Sequence, residues 1–125
     1  MLTQKRKLLE LRKKRDNYLV RKTLDDLEKA AAGNDNVSTA HYPSAYTHVI
    51  SIASTDGDDL KSDFSNYGTT VDLCSPGGSN AGGPSGLLST TFSTGTYGNY
   101  DLMQGTSMAS PVATGMAGLI LSLNP

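Results

Sequence analysis

The 125-residue sequence is poor in several residue types that would define a class of protein. It holds one cysteine, so no disulfide can form within the chain and no cysteine cluster can bind a metal. It contains no tryptophan and two histidines. No apolar run reaches the roughly 18 residues that span a membrane, and no basic segment precedes the apolar stretch of a secretory signal. The sequence therefore predicts neither a disulfide scaffold nor a membrane partner, and it leaves the compartment open.

The net charge of −1 hides a division of the chain. Residues 1–30 carry ten of the 11 basic residues and a net charge of +5, whereas residues 31–125 carry −6. All 13 glycines follow residue 32. We therefore expect two parts of different character, a basic helical segment over residues 1–30 and a separate domain over residues 31–125.

Residues 2–29 predict a basic helix, because they contain no glycine or proline and are rich in Leu, Lys, Arg and Glu. Clustered positive charge attracts phosphate whatever the sequence, so residues 5–22 are a candidate for weak contact with a polyanion. The alternative is a solvated helix, and this alternative is favoured because the charges show neither aromatic interleaving nor a reading motif.

From residue 31 onward the pattern alternates short apolar strands with glycine-rich breakers. Residues 46–54 and 69–74 are apolar and β-branched, as in a parallel sheet covered on both faces, and residues 86–92 predict a third strand. Residues 106–124 predict a helix that is apolar nearly all round, which is typical of a helix within a core. The expected fold class is α/β.

Two short stretches carry candidate chemistry. Ser107, in GTSMASP at residues 105–111, opens the predicted helix, where free backbone N–H groups favour negative charge on a substrate oxygen. Ser107 is thus either a nucleophile or, with Thr106, an ordinary helix cap. Asn34, in AAGN at residues 31–34, is either a turn residue or an amide donor to an oxyanion.

Together these stretches resemble the subtilisin-like serine proteases. GTSMASP matches the nucleophile motif of that family and AAGN its oxyanion motif, and the segments between them follow in the same order. The resemblance covers residues 31–125 and implies part of a three-layer sandwich around a parallel sheet, and residues 1–30 are expected to be unrelated to that family. It implies hydrolysis of peptide bonds in a peptide or protein substrate through a Ser107 acyl-enzyme, with Asn34 as oxyanion donor and no cofactor or metal. The family is commonly extracellular.

The sequence also departs from the family pattern. In the family the triad follows the order Asp, His, Ser, each in its own motif, and no Asp or His motif precedes Asn34. His41 and His48 both follow Asn34, which is the wrong side for the family's base. The charged residues before Asn34 are costly in a covered strand, so we expect the strand that supports this loop to be missing.

The resemblance also indicates substrate contacts at Ala32, Gly33 and His41. His41 precedes a Tyr-Pro pair, where the family has the base of the pocket for the side chain N-terminal to the scissile bond. A histidine there shortens the pocket and, if protonated, favours an acidic side chain. Cys74 is expected to be a small buried residue at a strand end.

Two functions follow from these residues. The first is a subtilisin-like serine endopeptidase, present here as a fragment that lacks the catalytic Asp and His and is expected to be inactive alone. The second is a non-catalytic interaction protein that uses its basic N-terminal helix to bind an acidic partner or nucleic acid.

Overall fold

The computed structural model describes residues 28–80, 85–95 and 98–123. The basic helix predicted over residues 2–29 lies outside this range except at its end. The polyanion contact predicted for residues 5–22 lies wholly outside the described residues.

Three parallel strands form the central sheet. They are β1 (Glu28–Ala31), β2 (Val49–Thr55) and β3 (Leu73–Pro76), in the order β1-β2-β3. Ala31 pairs with Ile52, and Ile52 pairs with Leu73, so β2 is bonded on both sides. The predicted α/β class with a parallel sheet is confirmed.

The strand before Asn34 was expected to be missing, and this prediction is wrong. β1 occupies Glu28–Ala31, so Glu28 and Lys29 are in a strand and not at the end of a helix. The charges are tolerated because Glu28 is exposed and Lys29 is only half-buried, which leaves both in contact with water. β1 also lies across the expected division of the chain at residue 30, and that division stays a prediction.

β3 begins later than the sequence predicted. The strand expected over residues 69–74 is observed at Leu73–Pro76, because the chain first turns at Gly68, whose φ is +102°. The N–H of Val71 donates to the carbonyl oxygen of Gly68 in this turn. Cys74 was expected to be buried and is exposed, since β3 is an edge strand among the described residues.

The third predicted strand belongs to a separate hairpin. β4 (Leu87–Gly95) pairs antiparallel with β5 (Gly98–Met103), an element that the sequence analysis did not predict. The register shifts between Thr90 and Gly95.

Helix α1 (Thr106–Ser122) packs against all three parallel strands. Pro111 lies within its first turns. The helix was expected to be enclosed in a core, but it buries Thr106 and Ala109 and exposes four large apolar side chains at its other end: Met116, Leu119, Ile120 and Leu123. Among the described residues no helix is both long and apolar enough to cross a membrane.

Serine side chains fill much of the space between the strands and the loops above them. Ile52 is a fully buried apolar residue of β2, and its neighbours in the interior are mostly hydroxyl residues. The hydroxyl groups of Ser54 and Ser62 are hydrogen bonded at 2.6 Å, and Ser62 also donates to the carbonyl oxygen of Gly78 at 2.5 Å. Within the described part of the chain, every buried side-chain nitrogen or oxygen has a hydrogen-bond partner. This interior depends on paired polar groups more than on apolar volume.

Asp63 lies in the segment between β2 and β3, and its carboxylate binds the loop that follows β3. Its carboxylate accepts from the N–H of Asn80 at 3.0 Å and from the hydroxyl of Ser79 at 3.1 Å. These bonds hold the pKa of Asp63 below its ordinary value of 3.8, and the bond from the Asn80 backbone N–H has the largest effect.

The lowered pKa of Asp63 predicts loss of stability in acid. The bonds stabilise the fold fully above pH 3.8, and this contribution disappears as the pH falls through the lower folded-state pKa. Asp63→Asn should therefore destabilise the chain more at pH 7 than at pH 3, as measured by urea unfolding at both pH values. Asp58→Asn is the control, because the Asp58 carboxylate accepts no hydrogen bond among the described residues. An equal effect of Asp63→Asn at both pH values would contradict the assignment.

Candidate active site

The candidate residues meet at the carboxyl edge of the parallel sheet. Ala32, Gly33 and Asn34 follow the end of β1, and Gly77 follows the end of β3. The carbonyl oxygen of Gly77 accepts from the N–H of Gly105 at 2.8 Å, which brings the start of α1 to the same edge. Clefts at this edge are the usual ligand sites of open α/β sheets.

Ser107 is the second residue of α1 and is exposed. The residue that caps the helix is Gly105, so neither Thr106 nor Ser107 is the N-cap residue that the alternative interpretation expected. The N–H groups of the first helical turn have no partner within the helix and carry its positive partial charge. The Ser107 N–H is one of these groups, and it lies next to the Ser107 hydroxyl.

Asn34 is tied to the start of the helix by its side-chain oxygen. Its Oδ1 accepts from the Thr106 N–H at 2.9 Å and from the Thr106 hydroxyl at 2.9 Å. The Thr106 hydroxyl oxygen in turn accepts from the N–H of Gly33 at 3.3 Å. Since Oδ1 faces Thr106, the amide orientation is fixed and the Nδ2 donor points away from that contact.

Two donors border one space beside Gly105. A Cβ atom on Gly105 would lie 3.5 Å from Asn34 Nδ2 and 3.7 Å from the Ser107 backbone nitrogen. Glycine leaves this space open, and its φ of +144° is one that other residues rarely adopt. Two nitrogen donors on one small open space are what an oxyanion-binding site requires, although the same point also lies 3.9 Å from Asn34 Oδ1.

Asn66 supports the loop that carries Asn34, and the sequence analysis did not identify it. Its side chain is buried and bonded to backbone groups on both sides of Asn34. Asn66 follows the loop by some 30 positions, so no local pattern links the two. The role of Thr106 was also missed, although its place at a helix start is a capping signal.

His41 lies against the same loop. A Cβ atom on Gly33 would lie 3.0 Å from Cγ and Nδ1 of the His41 ring, so the ring covers this glycine. His41 is half-buried, and Ala32 beside it is buried. The three residues predicted to contact substrate are thus neighbours at the loop after β1.

His48 lies elsewhere. It directly precedes β2, at the amino edge of the sheet, and is exposed. Neither His41 nor His48 is hydrogen bonded to Ser107 among the described residues. The structure brings Asn34, Thr106 and Ser107 together and leaves His48 at the opposite edge.

Comparison of this chain with known proteins shows which family it is similar to. The family model of the subtilase family matches residues 13–125. The chain is 43% identical over 96 residues to the halolysin-like extracellular serine protease Nep of Natrialba magadii, covering 77% of this chain and 16% of that protein. It is 42% identical over 93 residues to thermitase of Thermoactinomyces vulgaris, covering 74% of this chain and 29% of thermitase. The chain thus spans less than a third of these relatives.

Solved structures agree with the sequence matches. A lanthipeptide protease superposes with a TM-score of 0.69 at 28% identity, over 74% of this chain and 35% of that one. The epidermin leader peptide processing serine protease of Staphylococcus aureus gives a TM-score of 0.62 at 26% identity, over 78% and 30%. The resemblance noted in the sequence is confirmed.

The Thr106 hydroxyl should contribute measurably to stability. Thr106→Val keeps the shape of this buried side chain but removes the acceptor of the Gly33 N–H and one donor to Asn34. We expect the free energy of unfolding to fall by about 1–3 kcal/mol, the cost of buried polar groups left unpaired. Urea unfolding of the 125-residue chain measures this.

Thr114→Val is the matched control in the same helix. The Thr114 hydroxyl is exposed and donates to the carbonyl oxygen of Ser110 at 2.9 Å, so its loss should change stability by no more than about 0.5 kcal/mol. Equal effects at Thr106 and Thr114 would mean that the Thr106 hydroxyl has no special part in the fold.

Proposed function

The chain belongs to the subtilase family, and we propose that residues 28–123 carry the nucleophile and the oxyanion donors of a serine endopeptidase. The observation that carries the proposal is the position of Asn34 Nδ2 and the Ser107 N–H beside the same open space at Gly105. The amide of Asn34 is oriented for this role because Thr106 occupies its oxygen. The activity of the whole protein is part of the proposal, since the chain spans less than a third of its relatives.

In the proposed reaction, Ser107 Oγ attacks the carbonyl carbon of the scissile peptide bond while a general base takes the hydroxyl proton. The carbonyl oxygen becomes an oxyanion and accepts hydrogen bonds from Asn34 Nδ2 and the Ser107 N–H. The C–N bond then breaks, the base passes its proton to the leaving amine, and an acyl-enzyme remains. Water, activated by the same base, releases the acid and restores Ser107.

The base is supplied in this proposal by a segment other than residues 28–123. A serine hydroxyl is a poor nucleophile at neutral pH unless a base lies within hydrogen-bond reach. Of the two histidines, His48 is at the wrong edge of the sheet and His41 packs on Gly33. The expectation that residues 31–125 lack the catalytic Asp and His therefore remains part of the proposal.

The proposed substrate is a peptide or protein, with Ala32, Gly33 and His41 beside its scissile bond. The names of the similar proteins describe serine proteases and a leader peptide processing protease. The His41 ring lies over Gly33 next to Asn34, and this position supports a contact with the side chain N-terminal to the scissile bond. A histidine ring there limits the depth available to long apolar side chains and, in its protonated form, attracts a carboxylate.

The alternative of a non-catalytic interaction protein rests on residues 5–22, which lie outside the described residues. No contact of the described residues favours it.

Variants of Ser107 and Asn34 test the proposed roles in a chimaera. Residues 28–125 follow the Asp- and His-bearing part of a subtilase relative, which restores the order of the triad. Ser107→Ala should abolish labelling by a fluorophosphonate probe and hydrolysis of a peptide ester. Asn34→Ala should lower kcat roughly 100- to 1000-fold with a smaller change in KM, a magnitude taken from subtilisin, a member of the same family.

Asp35→Ala is the control for Asn34, because it shortens the neighbouring side chain and keeps the Asp35 backbone N–H, which donates to Asn66 Oδ1. It should leave kcat near that of the parent chimaera. Full turnover in Asn34→Ala would show that Asn34 is only a turn residue, and probe labelling that survives Ser107→Ala would refute the nucleophile assignment.

His41→Gly tests the substrate preference in the same chimaera. The measurement compares kcat/KM for two peptides, one with Glu and one with Leu before the scissile bond. Removing the ring should lower the Glu/Leu ratio of kcat/KM by roughly three- to tenfold at pH 6. His48→Gly is the matched control, since His48 has a φ of +70° that glycine accepts and lies at the opposite edge. Equal ratios in the parent and in His41→Gly would exclude His41 from specificity.

A further inference from the structure

Asn66 is the buried polar residue with the most bonds to the Asn34 loop. Only 3% of its surface is exposed. Its Nδ2 donates to the carbonyl oxygen of Ala32 at 2.9 Å, and its backbone N–H donates to that of Gly33 at 3.0 Å. Its Oδ1 accepts from the N–H groups of Asp35 at 3.0 Å and Val37 at 3.2 Å.

These four bonds lie on both sides of Asn34. Two reach the residues before it and two reach residues after it, so the backbone of Asn34 is held from both directions. The loop is irregular here, with a φ of +102° at Gly33 and of +53° at Asn36. Glycine and asparagine are the residues that adopt positive φ most readily, and such a loop has no ladder of backbone hydrogen bonds of its own, so side-chain bonds fix its path.

The contact requires an amide at residue 66. The side chain must donate to a carbonyl oxygen at one atom and accept from two N–H groups at the other, and an amide does both without charge. A carboxylate keeps the acceptor and lacks the donor, whereas leucine lacks both. Gly33 also leaves the room for Asn66, because a Cβ atom there would collide with Nδ2.

We propose that Asn66 is a positioning residue for the oxyanion donor of Asn34, an inference that rests on the proposed function of Asn34. Thr106 fixes the side chain of Asn34 and Asn66 fixes its backbone. An oxyanion donor is effective when it does not have to reorganise as charge develops. Loss of Asn66 therefore weakens stabilisation of the transition state more than binding of the ground state.

Hydrogen exchange on the 125-residue chain tests the positioning directly. Asn66→Leu should speed exchange of the Asp35 and Val37 amides roughly tenfold or more, relative to amides of β2 in the same sample. Asn66→Asp keeps the acceptor and should retain more of this protection than Asn66→Leu. Unchanged protection in both variants, or no protection at residues 35 and 37 of the parent chain, would overturn the inference.

Kinetics in the chimaera described above test the consequence for turnover. Asn66→Leu should lower kcat roughly tenfold or more with KM within about twofold, because the donor acts mainly in the transition state. Asn66→Asp should lie between the parent and Asn66→Leu. A rise in KM at constant kcat would contradict a positioning role for Asn66.

Asp72→Ala is the matched control for a general loss of stability. Asp72 Oδ2 accepts from the N–H of Ser51 at 2.9 Å, at the amino edge of the sheet, away from Asn34. This variant should leave exchange at residues 35 and 37 and kcat unchanged. Hydrolysis that survives Ser107→Ala would refute the proposed function while leaving the exchange test of Asn66 valid, so the two failures are distinguishable.

Discussion

The hydrogen bonds between Asn34 Oδ1 and Thr106 connect the two parts of the chain that form the site. One partner follows the first strand of the sheet, and the other begins the helix more than 70 residues later. The bonds satisfy a free N–H at the helix start and orient the amide of Asn34 in one step. Gly105 is the N-cap residue, but the side-chain acceptor for the first helical N–H comes from a distant loop. The same hydrogen bonds therefore stabilise the start of the helix and fix the geometry of the candidate site.

The polar interior makes this connection possible. Serines occupy positions where larger apolar side chains would separate the loops from the strands. Ser62, paired with Ser54 of β2, donates to the carbonyl oxygen of Gly78 and so brings the segment after β2 close to the segment after β3. Gly77 lies against the Ser54 hydroxyl and the carbonyl oxygen of Gly105, with no room for a side chain. The helix start can approach the sheet edge because these residues are small, and each buried hydroxyl is paired so that the approach costs little.

Local patterns predicted the elements whose signals are contained in consecutive residues. The apolar run of β2, the helix α1 and the two motifs around Asn34 and Ser107 were all recognisable in this way. β1 was missed because its charged residues argue against a covered strand, and the strand is acceptable because Glu28 is exposed and Lys29 is only half-buried. Asn66 was missed for a different reason. Its partners are some 30 residues away, so its function depends on the register of the fold and not on neighbouring residues.

Within the described part of the chain, the candidate oxyanion site is supported by side chains from three separate segments. Asn34 is held by Thr106 and by Asn66, and the second donor is the backbone N–H of Ser107 at the start of the helix. None of these bonds involves a histidine side chain, so in the proposed mechanism the position of the donors does not depend on the group that moves the proton. Acyl transfer needs both, but they depend on different physics: preorganised donors rely on fixed local hydrogen bonds, whereas activation of a hydroxyl relies on a base within reach. In the proposed mechanism different parts of the protein meet these two requirements, and the donors depend on hydrogen bonds among residues 32–37, 66 and 105–107.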